Sequence, residues 1–160
     1  MTSISNLRIA IVGAGVGGAV AGKLLQDGGY NVELYEQAAA VSRLGAGIHL
    51  GPNALRILNH IGVGQYVADH GVRPDAWVSR RLETGETLFR LPLGPAAVAC
   101  YGAPYVTIHR GDLHIALTDA LDPKIVHFGK QLSVAEAKVF DKEGRLLASG
   151  RGTYLTTPPS

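Results

Sequence analysis

Residues 13–18 read Gly13-Ala14-Gly15-Val16-Gly17-Gly18, with glycine at the first, third and sixth positions of a G-x-G-x-x-G pattern. The run before it, LRIAIV at 7–12, is short and rich in β-branched residues, as expected of a strand buried on both faces. After it, Val16, Val20 and Leu24 recur every four residues as one helical stripe, and Gly28-Gly29 supply a stop. NVELYE at 31–36 then alternates apolar and polar as a second strand. This order predicts a βαβ opening in an α/β fold. In such a turn the first glycine permits the tight bend and the second lets a pyrophosphate approach the backbone. The third lets helix and strand pack closely. The exposed N–H groups and positive end of the helix then favour phosphate. Glu36 closes the second strand where a carboxylate can accept hydrogen bonds from a ribose, which favours FAD or NAD over NADP. A bare glycine-rich turn is the alternative; the flanking strand, the helix and Glu36 weigh against it. The fingerprint alone leaves FAD and NAD open, and with them an NAD-dependent dehydrogenase.

The rest of the chain continues in alternating patterns. Residues 42–51, SRLGAGIHLG, hold three glycines around His49 and predict a loop that approaches a ligand closely. Pro52 suits a first helical position, Ala54, Leu55, Leu58 and Ile61 make one face, and Gly62 ends the helix. Residues 76–91 carry two strand-like stretches around Glu83-Thr84-Gly85-Glu86, a hairpin that would begin a substrate-side layer. Tyr105 to His109 reads as a strand, with Asp112 the expected N-cap of a helix bearing Leu113, Leu117 and Leu121. Ile125 to Phe128 is expected as a buried strand, and 131–140 and 145–148 as strands joined by Asp141-Lys142-Glu143-Gly144.

Bulk properties narrow the class of function. At 160 residues one domain is expected, and 46% hydrophobic against 18% charged residues describes an ordinary globular chain. A formal charge of +2 with no basic block points away from nucleic acid and toward small-molecule chemistry. The single Cys100 cannot form an internal disulfide, and the first residues lack a signal-peptide pattern, so a cytoplasmic location is expected. No apolar run approaches the roughly 20 residues of a membrane span.

Two later segments resolve the cofactor. RLGAGIHLGPNALRILNHIG at 43–62 and VTIHRGDL at 106–113 resemble the FAD-dependent aromatic hydroxylases, the group that includes salicylate and para-hydroxybenzoate hydroxylases. The resemblance covers about residues 7–132, extending through LPLG at 91–94, YGAPYVTIHRGDLH at 101–114 and VHFGKQL at 126–132. It implies a Rossmann-like FAD-binding βαβ fold with part of an inserted β-rich substrate-side layer. It also implies a glycine-rich loop beside the isoalloxazine, with cofactor contacts at Gly13, Gly15, Gly18, Glu36, Gln37, His49, Arg110 and Leu132. Arg110 would offer fixed guanidinium donors to phosphate or flavin oxygens.

The implied reaction is decarboxylative hydroxylation of a pyridine carboxylate, 6-hydroxynicotinate, to 2,5-dihydroxypyridine, with NADH and O2 as co-substrates. His49 would be the catalytic base, since an imidazole near its ordinary pKa suits removal of a ring-hydroxyl proton. The competing reading of His49 is a loop histidine that hydrogen-bonds backbone or touches only the cofactor. A related aromatic acid such as salicylate, or a non-catalytic FAD- or ADP-binding fragment, are the alternatives for the whole.

Other reactive side chains are assigned plainer roles. His109 and His114 flank the Arg110 helix start and are expected to be structural, and His60, His70 and His127 show no metal-ligand spacing. Cys100 is expected in the core, as are Tyr101 and Tyr105, with a ring-binding pocket the alternative for the tyrosines. The family carries two further signatures, an Asp-Gly segment and a Gly-Asp segment, that residues 1–160 do not contain. The expectation is therefore a truncated form: an incomplete FAD-binding domain over 1–150 and a non-family tail over 151–160, with a frameshift as one cause. Oligomeric state is not set by these features.

Overall fold

The computed structural model describes residues 7–43, 45–130, 134–141 and 143–153. Its first elements are strand β1 (Arg8–Val12), helix α1 (Val16–Asp27) and strand β2 (Asn31–Tyr35), the βαβ opening that the glycine fingerprint predicts. β1 and β2 run parallel, with Ile9 beside Val32 and Ile11 beside Leu34. Val32 and Leu34 are buried, and α1 lies so close that a Cβ on Gly22 would sit 2.6 Å from Leu34 Cδ1. That closeness decides which side of α1 is covered: Ala19 and Gly22 are buried, Val16 and Val20 are half-buried, and Leu24 is exposed. The predicted Val16, Val20, Leu24 stripe therefore flanks the contact, because the helix approaches through its smallest residues.

Next come β3 (Gly47–Leu50), α2 (Pro52–His60), α3 (Gly64–His70), β4 (Ala76–Arg80), β5 (Thr87–Pro92) and α4 (Pro95–Tyr101). They are followed by β6 (Val106–His109), α5 (Arg110–Asp119), a 3-10 turn at Pro123–Ile125 and β7 (Val126–His127). β8 (Val134–Phe140) and β9 (Leu146–Thr153) pair as an antiparallel hairpin, and β9 runs across residue 150. β7 adds to β2 in parallel, giving the order β1-β2-β7. β3 pairs antiparallel with β6, setting His49 opposite Thr107. The other edge of β6 bridges Val72, whose N–H and C=O both bond Thr107 at 2.8 Å. β4 and β5 form the predicted hairpin.

The core joins these layers. Leu113 and Leu117 of α5 are fully buried and pack in one cluster with Ala19, Leu34, Leu50, Leu55, Leu58, Val67, Val106 and Ile108. Truncating either leucine to alanine would cost about 2–5 kcal/mol. Five expectations need correction. β1 is not buried on both faces: Arg8, Ala10 and Val12, which share one face, are exposed, while Ile9 and Ile11 on the other are half-buried. Four residues of the predicted 42–51 loop form strand β3, recruited by pairing with β6. The N-cap of α5 is His109, whose Nδ1 accepts the Gly111 N–H at 3.2 Å, and Asp112 lies in the first turn. The expected 125–128 strand shrinks to two half-buried residues after the 3-10 turn. Cys100 and Tyr101 are exposed on α4, a helix that the sequence reading passes over although Pro95 and the left-handed Gly102 (φ 73°) mark its ends. Among the described residues no helix is long and apolar enough to cross a membrane.

Candidate functional site

The glycine turn is built by sterics that the structure makes explicit. Gly13 has φ +93°, a left-handed conformation that glycine adopts freely, and its N–H donates to Tyr35 O at 2.8 Å. A Cβ on Gly18 would fall 1.9 Å from Gly13 O, so α1 can leave the turn at this angle only with glycine there. Gly15 and Gly17 are different: a Cβ on either would meet nothing within 4 Å. Their hydrogens face open space at the start of α1, where no side chain caps the helix and no acidic residue occupies the first turn. The helix end thus keeps its donors and partial positive charge available to an anion.

Two side chains hold this turn from opposite sides. Glu36, just past β2, accepts the Ala14 N–H on Oε2 and the Ala38 N–H on Oε1, each at 2.9 Å. Each carboxylate oxygen retains a lone pair for a further donor. From α5, His114 Nε2 donates to Ala14 O at 2.6 Å, across 100 residues of sequence. Ala14 itself is fully buried, so both of its backbone groups need these partners. His114 is thus structural, as expected, but its task is to shape the cofactor turn.

The same helix anchors the second glycine loop. Arg110 opens α5, donates its N–H to Ala46 O at 3.0 Å, and exposes its side chain. Gly45 (φ +146°) packs against the Arg110 stem, and His109 Nε2 donates to Gly45 O at 3.0 Å. Arg43 grips Asp112 with two hydrogen bonds, Nε to Oδ1 at 2.5 Å and Nη2 to Oδ2 at 3.0 Å. Gly111 lets these segments meet, since a Cβ there would lie 2.8 Å from Arg43 Cα. The Arg43 hydrogen bond holds the Asp112 carboxyl below its ordinary range, with partial burial opposing.

His49 lies on the outer face of β3, exposed, while Ile48 and Leu50 turn inward. Trp77 of β4 and Tyr105 each place a ring centroid 5.9 Å from its imidazole. Gln37 is exposed beside Glu36, and Leu132 lies outside the described residues. The structure therefore gathers Gly13, Gly18 and Glu36 around one turn, and sets His49 and Arg110 on adjoining paired segments.

The sequence reading gives His114 a structural role without its partner, and it passes over Trp77. His114 follows Arg110 by one helical turn, a spacing that could have flagged it; Trp77 carried no comparable signal. Open space at Gly15 and Gly17, an uncapped helix end and an anchored carboxylate together fit the ADP half of a dinucleotide. Among the described residues no group of three His, Cys, Asp or Glu side chains could hold a metal ion.

A family model described as "FAD binding domain" matches residues 6–119. The 6-hydroxynicotinate 3-monooxygenase of Pseudomonas fluorescens is 52% identical over 129 residues, 81% of this chain and 34% of that protein. The 3-amino-4-hydroxybenzoate 2-monooxygenase of Streptomyces cremeus is 40% identical over 133 residues, 83% of this chain and 34% of that protein. Klebsiella pneumoniae HpxO, solved with FAD and uric acid, superposes with a TM-score of 0.69 at 22% identity, over 94% of this chain and 38% of that one, a likeness of fold. The chain spans about a third of the length of the curated relatives it matches.

Proposed function

This chain belongs to the FAD binding domain family, and on that premise we propose that it supplies the FAD-holding amino-terminal part of a monooxygenase that converts 6-hydroxynicotinate to 2,5-dihydroxypyridine with loss of CO2, using NADH and O2. The observation that carries the substrate is the 52% identity to 6-hydroxynicotinate 3-monooxygenase, against 40% to the aminohydroxybenzoate enzyme. A cytoplasmic setting accords with the lone Cys100.

Each residue has a defined task in this reading. Gly13 and Gly18 shape the turn, and Gly15 admits the pyrophosphate to the start of α1. Glu36, fixed by its two backbone bonds, accepts a ribose hydroxyl, with Gln37 beside it and Leu132 completing the contacts. Arg110 pairs with a phosphate or flavin oxygen. When bound, FAD supplies the redox chemistry that activates O2. His49 takes the ring-hydroxyl proton of the substrate on an imidazole nitrogen, which raises the electron density of the ring carbon bearing the carboxylate.

The complete monooxygenase that carries these residues, once purified, tests the reading. We expect a yellow preparation that oxidises NADH when 6-hydroxynicotinate is added, faster than with salicylate, and that forms 2,5-dihydroxypyridine. A colourless protein that binds NAD and no flavin overturns it. A yellow protein that leaves NADH unoxidised assigns these residues cofactor binding alone.

A further inference from the structure

The imidazole of His49 touches two aromatic rings supplied by other parts of the chain. Trp77 of β4 and Tyr105, which leads into β6, each lie 5.9 Å away between ring centroids, tilted by 41° and 38°. These separations fall within the attractive range for ring pairs. The β3/β6 register places the His49 backbone opposite Thr107, which fixes where the side chain starts and leaves its torsions to be decided. An exposed side chain on a strand samples several staggered rotamers, and ring contacts are what select among them. Trp77 is half exposed, although it carries one of the largest apolar surfaces available to a side chain. Tyr105 is half-buried and also walls an open cavity of about 560 Å³ with Arg73, Leu93, Pro95 and Val98.

We propose that Trp77 and Tyr105 are positioning residues for His49: their rings select the imidazole rotamer from which it reaches its ligand. The proposal rests on reading His49 as the base that meets the substrate. A base must stay within hydrogen-bond reach of the proton it removes, and a displacement of about 1 Å can cost on the order of 100-fold in rate. An imidazole on an open strand face needs such walls; one buried in a core would not.

Trp77 is the only tryptophan of the chain, so its emission reports this contact directly. An imidazolium quenches an adjacent indole more strongly than a neutral imidazole does. In the intact chain, emission should fall as acid converts the neighbouring imidazole to imidazolium. His49→Asn should abolish most of that fall. Tyr105→Phe should keep it, because the ring remains, and Tyr105→Leu should shrink it, because the imidazole is released. An undiminished fall in His49→Asn, or in a Tyr105→Leu protein with unchanged circular dichroism, overturns the proposal. If His49→Asn does not fold, histidine C–H resonances decide the matter. One imidazole should show a ring-current displacement that Trp77→Leu removes, and its absence overturns the proposal equally. FAD titration of the same samples separates this inference from the reading it rests on. Protein that binds no flavin yet shows the His49-dependent emission change keeps the ring contact and loses the flavin function.

Discussion

The Ala14 N–H donates to Glu36 Oε2 at 2.9 Å, so the residue at the centre of the glycine turn is tied to the carboxylate that closes the second strand. The same carboxylate accepts the Ala38 N–H on its other oxygen. Glu36 is thus an architectural residue before any ribose arrives. Glu36→Gln retains one acceptor oxygen and cannot serve both donors. We expect a stability loss of about 1–3 kcal/mol in urea melts, since the Ala14 N–H is buried, together with weaker FAD binding. Unchanged stability would show that the turn holds itself.

The glycines of the fingerprint should separate into two kinds. Gly18→Ala forces a Cβ to within 1.9 Å of Gly13 O, so the backbone must move and the chain should unfold or lose several kcal/mol, read by thermal melting. Gly15→Ala meets no protein atom within 4 Å and should cost at most about 1 kcal/mol of stability while weakening FAD binding at least about tenfold. Equal stability losses at the two positions would contradict the open-space reading of Gly15.

His114→Phe keeps the bulk of the ring and removes the donor to Ala14 O. Leaving that buried carbonyl unpaired should cost about 1–3 kcal/mol and should weaken FAD binding without touching the cofactor directly. Both effects should appear together, measured by denaturation and by flavin fluorescence titration. Weakened binding with full stability would place His114 in direct contact with the ligand instead.

The Arg43–Asp112 pair predicts an acid limb in stability. Because the folded-state pKa of Asp112 is depressed by Arg43, its contribution is fully present above the ordinary value of 3.8 and is lost as pH falls through the lower folded value. Asp112→Asn should therefore flatten the part of the stability profile below about pH 4 relative to the parent, with the glycine loop more accessible to protease at neutral pH. Identical acid profiles would remove Asp112 from the loop anchor.

His49→Asn should leave FAD affinity within about twofold and lower kcat by about 100- to 10,000-fold with 6-hydroxynicotinate, the range over which a general base contributes. Stopped-flow turnover with flavin content measured on the same sample checks this. Loss of flavin in parallel with activity would instead favour the cofactor-contact reading of His49.

Legibility of this chain in its sequence followed the range of the forces involved. The βαβ opening, helix α2 with Leu55, Leu58 and Ile61 on one face, and the β4/β5 hairpin were readable, because periodicity and turn chemistry act over a few residues. Helix α3 is not legible in the sequence, because its seven residues begin on a glycine and carry too short a pattern to register. Cys100 reads as a core residue because its neighbours are apolar, yet the side of α4 on which it stands is set by what α4 packs against.

By itself, then, the sequence determined the local sterics of the cofactor turn. Gly13 must bend, Gly18 must lack a side chain, and Glu36 must arrive at the end of β2. It could not determine that α5 serves both glycine loops at once, through His114 on Ala14 and through His109, Arg110 and Asp112 on Gly45, Ala46 and Arg43. Nor could it turn residues 47–50 into a strand that carries His49 to Trp77 and Tyr105. Those relations join residues tens of positions apart, and only the packing of α5 against α1 and the pairing of β3 with β6 bring them within the few ångströms over which hydrogen bonds and ring contacts act.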